Sequence, residues 1–119
     1  MAGEPSWFEI GVGDVERAKE FYGSLFGWHF EHTETGQGAV IRTPTVPGGL
    51  HGGDEGASPY VFFTVPDIQA AIARVRELGG DVEELEGQEP GEPTEWGRFA
   101  LCRDDQGSAF GLHQPPDAD

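Results

Sequence analysis

The sequence predicts an α+β fold of two tandem β-α-β-β-β modules, and three observations predict it. The first is a repeat. Glu9-Ile-Gly-Val-Gly-Asp14-Val-Glu-Arg-Ala18 returns 53 residues later as Phe62-Phe-Thr-Val-Pro-Asp67-Ile-Gln-Ala-Ala71. Val12, Asp14, Ala18, Leu25 and Gly27 find their counterparts in Val65, Asp67, Ala71, Leu78 and Gly80. A unit present only twice implies two pseudo-symmetric halves, because a solenoid needs more copies to bury a core. The second is a change of period: in each copy an aliphatic and aromatic run stops at an Asp, and apolar residues then recur at helical spacing. The third is size. A chain of 119 residues suffices for one domain, whereas either half alone is too small to bury a core. The expectation is a single domain over residues 1–119, with module one at about 5–53, module two at about 58–114 and a frayed tail at 115–119. The concave faces of the two half-sheets are expected to meet around a cavity, the usual place for a ligand.

Each element has a local reason. Trp7 to Val12 is strand-like, and Asp14 is placed to cap the helix that follows with its carboxylate. Val15, Ala18, Phe21, Tyr22, Leu25 and Phe26 are expected on the core face of that helix, and Gly27 ends it in the left-handed conformation. Trp28 to Thr33 and Gly38 to Thr43 follow as strands about a Gly36-Gln37-Gly38 turn. Pro44 to Gly53 is loop-like, with a short strand around Leu50. In module two, Tyr60 to Val65 is a strand and Asp67 caps a helix. That helix turns Ile68, Ala71, Ile72, Val75 and Leu78 inward and stops at Gly79-Gly80. Asp81 to Leu85 is a short strand. The glutamate-rich stretch from Glu83 to Glu95 is a solvated loop. Gly97 to Arg103 and Ser108 to Gln114 close a hairpin across Asp104-Asp105-Gln106-Gly107.

Composition excludes several functions. With 22 acidic against 7 basic residues, the formal charge is −15. That balance argues against the phosphate backbone of nucleic acid and against anionic membrane surfaces, and it favours solubility or a cationic ligand. No apolar run is long enough to span a membrane, and the first residues lack the pattern of a secretory signal. One cysteine, Cys102, leaves no intramolecular disulfide framework and fits a reducing, cytoplasmic setting as a small buried side chain. The glycine pairs Gly48-Gly49 and Gly52-Gly53 lack the strand–loop–helix context of a phosphate loop.

This order, with Trp7-Phe-Glu-Ile10, Asp14-Val-Glu-Arg-Ala18, Phe21-Tyr22 and Leu25-Phe-Gly-Trp28 in the first half, resembles the vicinal oxygen chelate superfamily, the glyoxalase and bleomycin-resistance group. Phe63-Thr-Val-Pro-Asp67, Gly79-Gly80, Trp96-Gly-Arg98, Asp104-Asp-Gln-Gly107 and Phe110-Gly-Leu-His-Gln114 carry the resemblance through the second half. It is nearest to the short glyoxalase-like proteins of actinobacteria. The resemblance implies the paired fold, frequent homodimers and, in metal-dependent members, a divalent ion held from four slots. Three of those slots fall on Trp7, Tyr60 and Gly111, and the fourth near Gly48 to His51, where only His51 carries a donor suited to a metal. Indole, neutral phenol and glycine do not ligate a hard or borderline divalent cation, so no metal ligand and no cofactor are assigned. Glu9, His51 and His113 are the residues from which a rearranged metal site would have to come; that arrangement is disfavoured.

Strand alternation then sorts the site residues. With Trp7 turned inward, Glu9 and Gly11 follow; by the repeat, so do Tyr60, Phe62 and Thr64; and Gly111 brings Ala109 and His113. The expected ligand-binding set is Trp7, Glu9, Tyr60, Phe62, Trp96 and His113, with Glu9 and His113 as candidate catalytic groups. A carboxylate among aromatic rings should resist ionisation and serve as a general acid or base. His29 and His32, three apart on a strand, point to opposite faces and are read as surface residues. Arg98 is read as a surface pair, and Trp28 and Trp96 as core or pocket walls. Two function classes stay open. One is a metal-independent binding protein that sequesters a planar or cationic small molecule. The other is a metal-independent isomerase, epimerase or cyclase using Glu9 with His113. A metal-dependent lyase or dioxygenase stands third.

Overall fold

A computed structural model describes residues 2–32, 38–54, 59–84 and 89–116. The chain divides into two compact units, Trp7–Tyr60 and Val61–Asp119, the latter joined by Met1–Ser6. The sequence-expected turn at Gly36-Gln37, Leu85 and residues 117–119 of the tail lie outside the described residues.

The first unit runs β1 (Pro5–Gly11), α1 (Val15–Phe26), β2 (His29–His32), β3 (Gly38–Arg42) and β4 (Gly48–His51), with Trp7 opening its share of β1. Its strands lie in the order β2-β3-β4-β1. β1 and β4 are parallel, with Phe8 opposite Gly48, Glu9 opposite Gly49, Ile10 opposite Leu50 and Gly11 opposite His51. β2–β3 and β3–β4 are antiparallel. Asp14 caps α1 by accepting a bond from the Arg17 backbone N–H, and Gly27, at φ +77°, ends it with its own N–H on the Gly23 carbonyl. One sheet face packs under the helix: Ile10, Ala18, Ala39, Ile41 and Leu50 form the buried core, with Phe8, Val15, Tyr22, Trp28 and Phe30 against it.

The second unit repeats that plan with β5 (Tyr60–Thr64), α2 (Ile68–Glu77), β6 (Asp81–Val82), β7 (Pro93–Thr94), β8 (Gly97–Arg103) and β9 (Ala109–Gln114). Its strand order is β5-β9-β8-β6, with β7 on β8 and with β5 parallel to β9. Asp67 caps α2 through the Ala70 N–H. Ile68, Ile72, Val82, Ala100, Cys102 and Leu112 form the core beneath it. Burial lifts the Cys102 thiol to about 11, so it is a neutral core side chain at physiological pH, as the sequence suggested.

Several sequence expectations are corrected here. Phe21, Leu25 and Phe26 are not core residues but are 61%, 59% and 57% exposed. The stripe that packs on the core is the narrow one through Val15, Ala18 and Tyr22; Phe21 and Leu25 lie outside it and stay exposed. Leu78 is 60% exposed for a different reason: α2 ends at Glu77, and Leu78 caps it. The short strand around Leu50 is a full partner of β1. The glutamate-rich loop contains one further two-residue strand, β7, because Pro93 and Thr94 fold back on Arg98 and Gly97.

These packing differences set the expected cost of substitution. Ile41→Ala and Ile68→Ala, at 0% and 1% exposed, should each lower unfolding free energy by roughly 2–5 kcal/mol in urea titrations. Phe21→Ser and Leu25→Ser should each cost less than about 1 kcal/mol in the same assay, the reverse of the order expected had all four been core residues.

Candidate functional site

In the first unit, alternation turns Phe8, Ile10 and Leu50 to the helix and leaves Trp7, Glu9, Gly49 and His51 on the opposite face. Parallel pairing sets Glu9 beside Gly49 and His51 beside Gly11. Both glycines make room for side chains. A Cβ on Gly49 would overlap the Glu9 carboxylate, and one on Gly11 would come within 2.7 Å of both His51 Nε2 and Asp54 Oδ2.

The Glu9 side chain is largely buried, at 23% exposed, and its Oε1 lies 3.5 Å from His51 Nδ1. Its Oε2 is shut off from solvent and has no hydrogen-bond partner among the described residues. Burial raises the Glu9 pKa above its ordinary value; His51, by charge and by hydrogen bond, and the Trp7 indole N–H offset that only in part. On its other side His51 Nε2 sits 3.0 Å from Asp54 Oδ2, just past β4. The result is a carboxyl–imidazole–carboxyl chain, Glu9–His51–Asp54, running from a buried oxygen to a half-exposed aspartate.

The second unit builds the equivalent place differently. Phe62 stands opposite Gly111 and Thr64 opposite His113, the same register as Glu9 with Gly49 and Gly11 with His51. The Val12 N–H bonds to the His51 carbonyl at 2.9 Å, and the Val65 N–H to the His113 carbonyl at 2.9 Å. His51 and His113 are therefore counterparts. A Cβ on Gly111 would overlap the Phe62 ring, so this glycine holds an aromatic ring where Gly49 holds a carboxylate. His113 is 5% exposed and stacks on Phe99 at 4.4 Å. Its Nε2 lies 3.0 Å from the Trp96 carbonyl and its Nδ1 2.8 Å from Ser6 Oγ. The carbonyl only accepts, which fixes the proton on Nε2 and makes Nδ1 the acceptor for the Ser6 hydroxyl. Burial lowers the His113 pKa, and the Trp96 carbonyl opposes that in part.

Among the sequence-predicted residues, the structure places Trp7 and Glu9 together on one face. Phe62 and His113 share a face of the second unit with Phe99, 5.4 Å edge-on from Phe62. Trp96 sits in the β7–β8 turn, half-buried, and contributes its carbonyl to His113. Tyr60 opens β5, half-buried. His29 and His32 are exposed, as read. Sequence reasoning grouped His51 with Glu9 only in a disfavoured metal set that included His113, and missed their direct pairing. The repeat offset of 53 hid it, because His51 and His113 are 62 apart once the extra length around β7 is included. The signal that could have found it is the position of each histidine at the end of the strand returning parallel to its module's first strand.

Of the four slots that the resemblance assigns to a divalent ion, three hold Trp7, Tyr60 and Gly111, whose side chains are poor donors for such an ion, and His51 stands near the fourth. Among the described residues, no three His, Cys, Asp or Glu side chains are grouped to hold a metal ion. None of the described helices is long and apolar enough to cross a membrane.

Residues 5–112 match the family described as Glyoxalase/Bleomycin resistance protein/Dioxygenase superfamily. The chain is 31% identical over 123 residues to CFP32 of Mycobacterium tuberculosis (strain CDC 1551 / Oshkosh), which carries a glyoxylase name; the match covers 94% of this chain and 46% of CFP32. It is 29% identical over 131 residues to the anthracycline biosynthesis protein DauV of Streptomyces sp. (strain C5), covering 92% of this chain and 46% of DauV. The chain thus spans about half the length of these curated relatives. Among solved structures, a methylmalonyl-CoA epimerase in complex with methylmalonyl-CoA and NH4+ superposes with a TM-score of 0.70 at 18% identity, covering 100% of this chain and 99% of that one. The methylmalonyl-CoA epimerase from Mycobacterium tuberculosis does so with 0.68 at 18%, covering 96% and 89%. Both show the fold.

Two opposed pH dependences should appear in the stability. The lowered His113 pKa means that the unfolded chain binds the extra proton first. Stability is then full above 6.5, its ordinary value, and falls as pH drops through the folded value. The raised Glu9 pKa acts oppositely: stability is full below 4.5 and is lost as pH rises through the folded value. Urea titrations at stepped pH should show that His113→Gln flattens the acid-side loss, whereas Glu9→Gln gains stability over the native chain only on the alkaline side.

Proposed function

The chain belongs to the Glyoxalase/Bleomycin resistance protein/Dioxygenase superfamily, and from that premise we propose that it binds a small organic molecule beside Trp7 and exchanges a proton with it through Glu9, without a metal. The observation that carries this reading is the Glu9 carboxyl group itself. It is buried, has one unpartnered oxygen, and its pKa is raised by its surroundings. Burial makes this carboxylate a stronger base than an exposed one, the direction in which a general base is tuned. No group among the described residues bonds to that oxygen, so a ligand that displaces its cover finds an acceptor there. The reaction class is proton transfer at an acidic carbon, as in isomerisation or epimerisation. The fold shared with methylmalonyl-CoA epimerases supports that class without fixing the substrate.

A second reading, sequestration without turnover, draws on the aromatic side chains Phe62 and Phe99, edge-on at 5.4 Å on the face of the second unit turned away from its helix. The net charge of −15 would then favour a planar, cationic ligand.

Hydrogen–deuterium exchange separates the two. In D2O, the native chain should catalyse exchange of the α-hydrogen of methylmalonyl-CoA or of a smaller carbonyl carbon acid, followed by proton NMR. Glu9→Gln should reduce that rate by about 10²–10⁴-fold. A rate that survives Glu9→Gln excludes Glu9 as the base. Saturable binding of a compound with no exchange in the native chain favours sequestration.

A further inference from the structure

The geometry points to a role for His51 and Asp54 that neither the family match nor the repeat assigns: we propose that they form a positioning and proton-accepting pair for Glu9. This rests on Glu9 being the proton-transfer group. The argument is one of donors and acceptors. His51 Nε2 faces Asp54 Oδ2 at 3.0 Å, and Nδ1 faces Glu9 Oε1 at 3.5 Å. Both neighbours are carboxyl groups. A neutral imidazole has one N–H and one lone pair, so it can donate to only one of them. Asp54 is half-exposed and needs only a donor, which the Nε2–H provides. Nδ1 is then a lone pair facing Glu9, and the contact is satisfied only when a proton lies between them. That proton has two homes. On Glu9 it makes a neutral carboxyl donating to Nδ1; on His51 it makes an imidazolium flanked by two carboxylates.

The transfer balances without any outside reagent. Glu9, as carboxylate, removes a proton from an acidic carbon of the ligand and becomes neutral. Rotation of the carboxyl group turns that O–H from the ligand side to the side facing His51 Nδ1, where the O–H bond breaks, an N–H bond forms, Glu9 regains its charge and His51 becomes a cation stabilised by Asp54. The imidazole is about one-third exposed, unlike Glu9 Oε2, so the proton is brought to an edge that water reaches. Among the described residues, Glu9 on β1 and Asp54 beyond β4 are the charged groups within ion-pair distance of His51; β3 brings only the glycine Gly38 opposite it. The counterpart histidine does not share this arrangement, because His113 has its ring nitrogens on a serine hydroxyl and a backbone carbonyl.

The test needs no substrate. The Glu9 carboxyl carbon is followed by ¹³C NMR and the His51 ring by ¹⁵N NMR as pH is stepped, in the native chain, His51→Gln and Asp54→Asn. In the native chain the ¹⁵N shift of Nδ1 should change as the Glu9 carboxyl titrates, as a shared proton requires and a purely structural contact does not. His51→Gln should move the Glu9 midpoint up by roughly one pH unit, through loss of the cation. Asp54→Asn, on an exposed side chain that leaves the core intact, should move it the same way by less. A raised Glu9 midpoint that neither variant alters overturns the pairing and leaves Glu9 as a lone base. A Glu9 midpoint at the ordinary carboxylate value in the native chain removes both the pairing and the proton-transfer reading.

Discussion

The parallel pairing of β1 with β4 is the constraint on which the candidate site depends. It fixes Glu9 against a glycine and sets His51 two residues further along the same face. No side chain at position 49 competes for the space that the carboxylate fills. The same pairing puts Ile10 beside Leu50 under α1, so one set of backbone hydrogen bonds organises a core face and a chemical face together. Burial of the carboxyl group follows from that placement. Its altered acidity follows from burial, and its approach to the imidazole from the strand returning in parallel.

The second unit has the same strand plan and has filled it with different chemistry. Where the first sets a carboxylate over glycine, the second sets the Phe62 ring over Gly111. Where the first leaves an imidazole between two acids, the second encloses one between a hydroxyl, a carbonyl and the Phe99 ring. The duplicated fold thus carries one acidic version and one packed version of the same corner. The packed version is recognisable by its satisfied nitrogens, the acidic version by a buried carboxylate oxygen with no partner among the described residues.

Much of the fold was legible in the sequence, because its signals are local. Asp14 and Asp67 announced their helices through capping, Gly27 and Gly79 announced the ends, and the turn at Asp104 to Gly107 was readable from its residues. That Glu9 and Trp7 share one strand face was readable from strand parity. What was not legible depends on distant contacts. Phe21 and Leu25 have the spacing of core residues but stay exposed, because helical periodicity alone does not report how wide a stripe of the helix is covered. The partnership of His51 with Glu9 is set by β4, a strand of four residues with two glycines, whose weak local preference gives little sign of its place beside β1. Cys102 was easier, since a lone small apolar residue alternating with Ala100 on a strand has little else to do than fill the core.

The register of β4 also governs how this site can change over generations. Because side chains alternate, a one-residue insertion or deletion in the strand would turn Leu50 out of the core and carry Gly49 and His51 beneath the helix. Such a lesion would expose a buried leucine and bury an imidazole in one step, and quality control would remove the chain as misfolded. Loss of chemistry by slippage is therefore coupled to loss of the protein. The remaining route is single replacements on the face turned away from the helix, where a new side chain at position 9 or 51 alters charge and hydrogen bonding and leaves the hydrophobic layer untouched. Lineages built on this framework should accordingly diversify by exchanging individual residues at those positions while keeping the length of the strand.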